Sequence, residues 1–278
     1  MAGLCRLTAI AGLLMVLASS SAGGQSLADY ASHSSCLIGP NYVYKLSIAA
    51  QGTLATVKVD RSQKVRKGEI IAELESGVEK SQVEAARTRA STDAIIKLKS
   101  AVLAVASAKL ERMRTLRAQA IASQQSVDDA EAAAALAESE LGQAELDKKM
   151  AGFEVARLEA VLERRTLRSP ADGVVTAVDL HPGEYADATN PIATVTEIDP
   201  LKVAVYLPAN AYPLVSVGAR VLVTPKEALS KPREAVVSVK DPQIDASSGL
   251  FLIQLKMPNP EGDIPAGISC AAEFLSNK

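Results

Sequence analysis

The chain has no tryptophan and only three phenylalanines among its 278 residues. Hydrophobic residues still make up 48% of the composition, because alanine and valine dominate. Aromatic side chains supply much of the bulk of a large core, so their scarcity argues against one thick globular domain. At this length about two ordinary domains are expected, and the composition favours an elongated protein of several small modules.

Groups that carry catalysis are also scarce. The two histidines, His33 and His181, lie in a polar segment and beside a proline, where we expect both to face solvent. No phosphate loop, metal-ligand cluster or nucleophile motif occurs. The net charge of -2 lacks the basic excess of a nucleic-acid-binding protein. We therefore expect no enzyme activity, no cofactor, no metal and no nucleic-acid partner.

The first 24 residues have the pattern of a secretory signal peptide. Arg6 is the only charged side chain before Asp29, and the apolar run of residues 7–18 is shorter than the roughly 20 residues of a spanning helix. Small residues at 20–22 supply a cleavage site, and an uncleaved anchor is the alternative. No cysteine follows the run directly, so a lipid-anchored lipoprotein is not expected.

Cleavage would remove Cys5 and leave Cys36 and Cys270. An even pair of cysteines in an exported protein favours a disulfide. The alternative is two unpaired buried thiols.

One short β pattern occurs twice. The first copy is Gly52-x-Leu-x-x-Val-x-Val59 followed by Gly68, and the second is Gly173-x-Val-x-x-Val-x-Leu180 followed by Gly183. Short alternating runs closed by glycine turns predict small strands. The two copies therefore predict the two halves of one small β module.

A long helical insertion separates these halves. No proline occurs between Pro40 and Pro170, and Ser76 with Glu79 has the spacing of a capping box. We predict one helix from there to about Gln119, with a seam that includes these residues in 3-4 spacing: Ile95, Leu98, Val102 and Val105.

The second helix of the insertion has the clearer pattern. Ten of its eleven seam positions are apolar and Lys148 is the exception, which indicates a coiled coil. The apolar positions are Val127, Ala130, Ala134, Ala137, Leu141, Ala144, Ala151, Val155, Leu158 and Leu162. The link near residues 120–123 contains no glycine or proline, so we predict a tight, helix-like turn between antiparallel helices.

Residues after 198 are predicted to be all β. Five short strand candidates alternate with Pro, Gly and Asn/Asp turns, which is typical of a small barrel. They are residues 203–207, 220–224, 235–239, 251–255 and 268–274.

The predicted fold class is α+β, with a split β module, a coiled-coil hairpin and a small antiparallel barrel. The predicted domains are 1–24 signal peptide, 25–47 lead-in and an N-terminal strand packing on the barrel, 48–75 first half-module, 76–165 hairpin, 166–198 second half-module and 199–278 barrel.

This arrangement resembles the HlyD-type periplasmic adaptors, also called membrane fusion proteins, whose β module is similar to the lipoyl or biotinyl carrier fold. The phrases that carry the resemblance are Val-Arg-Lys-Gly-Glu-Ile-Ile-Ala at 65–72, Arg-Ser-Pro-Ala-Asp-Gly-Val-Val at 168–175 and Asp-Ala-Ser-Ser-Gly at 245–249. Larger members continue into a membrane-proximal domain, which we expect to be absent or reduced here.

The resemblance implies a docking motif at the hairpin tip. Adaptors that dock onto TolC-like channels carry Arg-x3-Leu-x6-Ser there, and Arg112, Leu116 and Ser123 have this spacing. Arg112 and Leu116 lie one helical turn apart on one face. The alternatives remain a solvated charge, a seam residue and a helix N-cap, respectively.

The resemblance also implies the partners. They are an inner-membrane transporter of the RND or MacB-like kind, a TolC-like outer-membrane channel and further copies of the chain in a ring of six, in the periplasm. A type I secretion adaptor and a coiled-coil scaffolding protein without a transport role are the alternatives. A biotin or lipoate carrier is disfavoured, because residues 73–76 at the module tip are Glu-Leu-Glu-Ser and contain no lysine.

Overall fold

The computed structural model describes residues 35–226 and 231–275; the predicted signal peptide, Cys5 and His33 lie outside this part. Its α-helices are α1 Gly77–Ser91, α2 Ala94–Ala118 and α3 Gln124–Glu163, and a 3₁₀ helix spans Ala209–Leu214. Its strands before the helices are β1 Ser35–Gly39, β2 Tyr42–Leu46, β3 Gly52–Val57, β4 Lys64–Val65 and β5 Ile70–Leu74. Those after the helices are β6 Thr166–Arg168, β7 Gly173–Val178, β8 Tyr185–Ala186, β9 Ala193–Glu197, β10 Leu201–Pro208, β11 Arg220–Pro225, β12 Arg233–Ile244, β13 Leu250–Met257 and β14 Ile268–Phe274.

The described residues form two compact units. One contains residues 40–201 and 259–266, and the other contains the remaining described residues. The predicted fold class is confirmed, because the chain has a β module, a helical hairpin and a closed barrel. Of the predicted range 25–47, strand β1 pairs with the barrel strands β10 and β14, whereas β2 pairs with β9 of the module. No helix in the described ranges combines the length and apolar character needed to cross a membrane.

The β module consists of two four-stranded sheets, ordered β2-β9-β7-β4 and β6-β5-β3-β8. The duplicated pattern supplies β3 and β7, one in each sheet. Each half also contributes its short middle strand to the sheet of the other half, because β4 pairs with β7 and β8 pairs with β3. Because of this exchange, neither half can complete its sheet alone.

The two sheets share one apolar core. Its fully buried members come from both halves of the sequence, including Ile71 from the first and Val175 from the second. The turn glycines of the two copies match in conformation, with φ of +84° at Gly68 and +91° at Gly183. A residue with a Cβ is disfavoured at such angles, which explains why both copies place glycine there.

The predicted seam of the second helix is confirmed. Every predicted seam position on α3 is buried or half-buried, and α3 packs against both α1 and α2. Four seam residues are buried, namely Val127, Ala130, Ala137 and Ala144. Small side chains at these positions let the helices approach closely.

The prediction of one continuous helix from Ser76 to Gln119 was wrong. The chain leaves the helical conformation at Thr92, whose ψ is 118°. Asp93 then starts α2 by accepting a hydrogen bond from the Lys97 amide, and its carboxylate pairs with Lys148 of α3. The one charged residue in the α3 seam therefore lies opposite the interruption, which no local pattern indicated.

The predicted seam of α2 was also wrong, by one residue. Ile95, Leu98, Val102 and Val105 are 58%, 57%, 44% and 69% exposed. The half-buried positions of α2 are instead Ile96, Lys99, Leu103, Ala106, Leu110, Met113 and Leu116. Lys99 is accommodated because it forms an ion pair with Glu140 of α3 at 2.8 Å. Both stripes have 3-4 spacing, and the one that contains a lysine faces the partner helix.

The capping box is only partly present. Ser76 is the N-cap of α1 as predicted, but its side chain makes no capping hydrogen bond. Glu79 instead accepts a hydrogen bond from the guanidinium of Arg165. A cation distant in sequence thus replaces the local interaction.

The barrel has six strands in the order β1-β10-β13-β12-β11-β14. All five strands predicted after residue 198 are present. Strand β1 completes the barrel by pairing with β10 and β14. Cys36 of β1 faces Cys270 of β14 and the two form a disulfide, with a Cα–Cα distance of 4.9 Å, as the sequence predicts.

Candidate functional site

The tip of the helical hairpin is a five-residue link, 119–123, between α2 and α3. The Ile121 amide donates to the Leu116 carbonyl at 2.9 Å, and the Ala120 amide donates to the Arg117 carbonyl at 2.9 Å. Ala120 has a φ of +61°. These two hydrogen bonds and the left-handed Ala120 form a Schellman motif. The predicted helix-like turn was therefore wrong in its conformation.

Ser123 is the N-cap of α3. Its hydroxyl accepts a hydrogen bond from the Ser126 amide at 3.2 Å and lies 2.8 Å from the Ser126 hydroxyl. The residue as a whole is exposed. The N-cap interpretation is therefore correct, and it leaves room for a contact with a partner.

Arg112 is exposed on α2, two turns before the link. Among the described residues, its guanidinium has neither an ion-pair nor a hydrogen-bond partner. Arg114 differs, because it pairs with Glu111 and with Glu131 of α3, both at 3.3 Å. Arg117 is likewise exposed and without a side-chain partner among the described residues. The tip thus presents two guanidiniums that the fold itself does not use, of which Arg112 has the docking spacing.

Leu116 is half-buried, in line with the inner stripe of α2. It contributes to the packing against α3 and still shows part of its surface next to Arg112. The three predicted tip residues are therefore an unpaired cation, a partly exposed leucine and a serine that caps α3, all within the last turns around the link.

Sequence reasoning missed one exposed apolar residue at the tip. Ile121 is 69% exposed, because the left-handed Ala120 and the Schellman hydrogen bonds place it outside the helix. A β-branched residue in an interhelical link without glycine was the available signal.

Arg165 holds together the root of the hairpin, which is the place where α1 begins and α3 ends. Its guanidinium donates to Glu79 of α1 and lies 3.4 Å from the carbonyl oxygens of Gln51 and Glu75. The side chains of Arg165 and Glu79 are only 25% and 16% exposed. One arginine therefore joins the first helix, the end of β5 and the start of β3.

The sequence predicts no catalytic role for His181. His181 lies in an exposed turn, where its amide donates to Glu184. Within the described ranges, no group of three or more His, Cys, Asp or Glu side chains could hold a metal ion.

Comparison with solved structures identifies the fold. The structure of MacA from Actinobacillus actinomycetemcomitans superimposes with a TM-score of 0.70 at 19% identity, covering 87% of this chain and 76% of that one. The membrane fusion protein Spr0693 from Streptococcus pneumoniae R6 gives a TM-score of 0.57 at 18% identity, covering 88% and 98%. The chain has the membrane fusion protein fold.

Sequence comparison adds one curated relative. An uncharacterised protein of Haemophilus influenzae is 28% identical over 226 residues, which are 81% of this chain and 52% of the relative. The chain thus spans about half the length of the curated relative it matches. No protein-family model matches the chain.

Proposed function

We propose that this chain is a periplasmic adaptor that joins an inner-membrane transporter to an outer-membrane channel. The hairpin tip docks onto a TolC-like channel, and several copies, six by the family resemblance, form a ring around the conduit. The transporter is of the RND or MacB-like kind and supplies the energy. The adaptor assembles and seals the path.

One observation carries this proposal: the free guanidinium of Arg112 at the tip of a hairpin in a membrane fusion fold. A guanidinium can donate to a carboxylate or to two carbonyl oxygens of a partner. Leu116 and Ile121 add apolar surface beside it, and the Ser123 hydroxyl adds a polar contact. Such a mixed polar and apolar surface suits a channel whose helix ends present both polar groups and apolar side chains.

The tip is tested by crosslinking in cells that make the whole export system. A cysteine in place of Gln119 should capture the outer-membrane channel through a reducible linker. The control is Glu145→Cys, which lies about 30 Å along α3 from the tip at 1.5 Å per residue. Capture of copies of this chain alone by the Gln119 variant would favour the scaffolding alternative.

A charge reversal tests the residue that carries the proposal. Arg112→Glu should lower export by at least about tenfold, because a desolvated charge contact is replaced by repulsion. Lys109→Glu is the matched control, since it makes the same charge change one turn away from Arg112. Equal export by both variants would contradict the assignment of Arg112, and circular dichroism should show unchanged helicity in each.

A further inference from the structure

The helical path from the root of the hairpin to its tip is interrupted between α1 and α2, at Thr92 and Asp93. In this part of the described chain, no backbone hydrogen bond joins α1 to α2. The two helices are therefore connected here by the covalent chain alone. Residues at the ends of such elements can absorb changes in φ and ψ, which is how hinges in proteins work.

The interruption also shifts the seam of the hairpin by one residue. Steps of four and three from the buried Ala86 lead to Asp93, and a further step of four leads to Lys97, which is exposed. The half-buried residue at this position is instead Ile96. A fixed phase correction within a rigid hairpin would account for this shift alone, so the shift does not by itself indicate movement.

Helix α3 carries its two glycines at the height of the interruption. Lys148, which pairs with Asp93, lies between Gly142 and Gly152. A Cβ built on either glycine has no neighbouring atom within 4 Å, so close packing does not require glycine at these positions. Glycine in a helix interior is less stable than alanine and conformationally freer. Helix α3 is therefore easiest to bend opposite the place where its partner is interrupted.

The helices are loosely packed at this height. An open cleft of 360 Å³ lies beside the interruption, lined in part by Ile96 of α2 and by the small Ala144 and Ala151 of α3. The side chains of Asp93 and Lys148 are 46% and 40% exposed, and exposed ion pairs hold helices together only weakly. A rigid phase correction requires neither a cleft nor the glycines of α3.

The two sides of the interruption are tied to α3 independently. Arg87 of α1 pairs with Glu159, and Lys99 of α2 pairs with Glu140 at 2.8 Å. Helix α1 also has two buried side chains, whereas α2 has none. A bend at the interruption leaves both of these ion pairs intact, because each pair lies wholly on one side of it.

We propose that Thr92 and Asp93 form a joint, at which the tip half of the hairpin changes its angle to the half that adjoins the module, while α3 bends at its glycines. Gln119 lies 26 residues beyond Asp93. At 1.5 Å per residue this is about 39 Å, so a bend of about 10° moves the link by about 7 Å. The inference rests on the proposed function, because such a movement lets each tip align with a channel while the module stays in place.

Double electron–electron resonance on the purified mature chain tests the joint. Spin labels at Glu84→Cys and Ala104→Cys lie on either side of the interruption. The matched control is Lys97→Cys with Arg117→Cys, which encloses the same 20 residues, about 30 Å, within α2 alone. All four positions are exposed. The native cysteines take no label, because they are paired with each other.

The distance distribution across the interruption should be about twofold broader than the distribution within α2. Replacing both Gly142 and Gly152 by alanine should narrow the distribution across the interruption and leave the control pair unchanged, because alanine stiffens α3. Equal widths for the two pairs would show a rigid phase correction and overturn the proposal. An unchanged width in the double alanine variant would overturn the role of the α3 glycines.

The outcome is separable from that of the proposed function, because the measurement needs neither a channel nor a transporter. Equal widths, together with capture of the channel by the Gln119→Cys variant, would refute the joint and leave the adaptor function standing. A broad distribution across the interruption without channel capture would support the joint and refute docking.

Discussion

Removal of the Arg165 guanidinium should loosen the hairpin root. We expect Arg165→Met to lower the free energy of unfolding of the module by about 2 kcal/mol, because it leaves a largely buried carboxylate and two carbonyls without their donor. Methionine keeps most of the aliphatic stem, so the loss reports the charged head. The estimate is below the 3–5 kcal/mol of a fully buried pair, since Glu79 keeps 16% exposure.

Urea unfolding followed by circular dichroism measures this effect. With a slope of about 2 kcal/mol/M, the midpoint should fall by about 1 M. Glu79→Gln in the Arg165→Met background should recover part of the loss, because it removes the unpaired charge. A double-mutant cycle should give a coupling of about 1–2 kcal/mol between the two residues.

Arg168 provides the control, three residues further along. It pairs with Glu163, and the two side chains are 42% and 60% exposed. Exposed pairs contribute little to stability, so Arg168→Met should leave the midpoint nearly unchanged. Equal shifts for Arg165→Met and Arg168→Met would refute the reasoning that burial at the root decides the effect.

Three further predictions concern the barrel and the module. Replacing Cys36 and Cys270 by alanine should lower stability by about 2–5 kcal/mol in urea unfolding, because the bridge closes a loop of 234 residues. Gly173→Ala should cost about 1–3 kcal/mol in the same assay, since its Cβ would lie 2.6 Å from a backbone carbonyl oxygen. Hydrogen bonds, first from the Ser247 hydroxyl, lower the pKa of Asp245 to about 2, so its stabilising contribution is lost as pH falls from about 4 through that value. Carboxyl NMR should place this pKa nearer the ordinary value in Ser247→Ala.

Each of these predictions has a control or a contrary outcome. Two alkylatable thiols in the non-reduced protein would rule out the bridge. Gly142 on α3 has no neighbouring atom within 4 Å of a built Cβ, so Gly142→Ala should stabilise by up to about 1 kcal/mol. The hydroxyl of Thr189 is the main cause that lowers the pKa of Asp187, and this pKa should be unchanged in Ser247→Ala. A common shift of both carboxyls would contradict the local explanation for Asp245.

The two helices of the hairpin show where sequence reasoning succeeded and failed. On α3 only one stripe is continuously apolar, with Lys148 as its single exception, so the pattern had one interpretation. On α2 two stripes one residue apart both satisfy 3-4 spacing. Over residues 95–106 the outer stripe has no charged residue and the inner one contains Lys99, so the pattern there predicts the outer stripe as the seam. The structure instead places Lys99 inside, because Glu140 lies opposite. An ion pair across the hairpin cannot be read from one helix.

The capping box and the tip show a similar limit. Ser76 and Glu79 have the spacing of a local motif, but Arg165 is 86 residues away from Glu79 and takes its carboxylate. At the tip, Arg112, Leu116 and Ser123 are the positions that the family resemblance implies. The left-handed Ala120 was not predicted, because alanine carries no turn signal.

The sequence by itself determined the modules, since the duplicated glycine-bounded strands, the proline-free heptads and the short strands after residue 198 are local patterns. It also favoured the Cys36–Cys270 pair, because only these two cysteines remain after the signal peptide. Only the tertiary structure decided the exchange of β4 and β8, the break at Thr92 and the inner stripe of α2. The physical reason is that these features depend on which distant group supplies a strand edge or a charge, and periodicity along the chain contains no information about that partner.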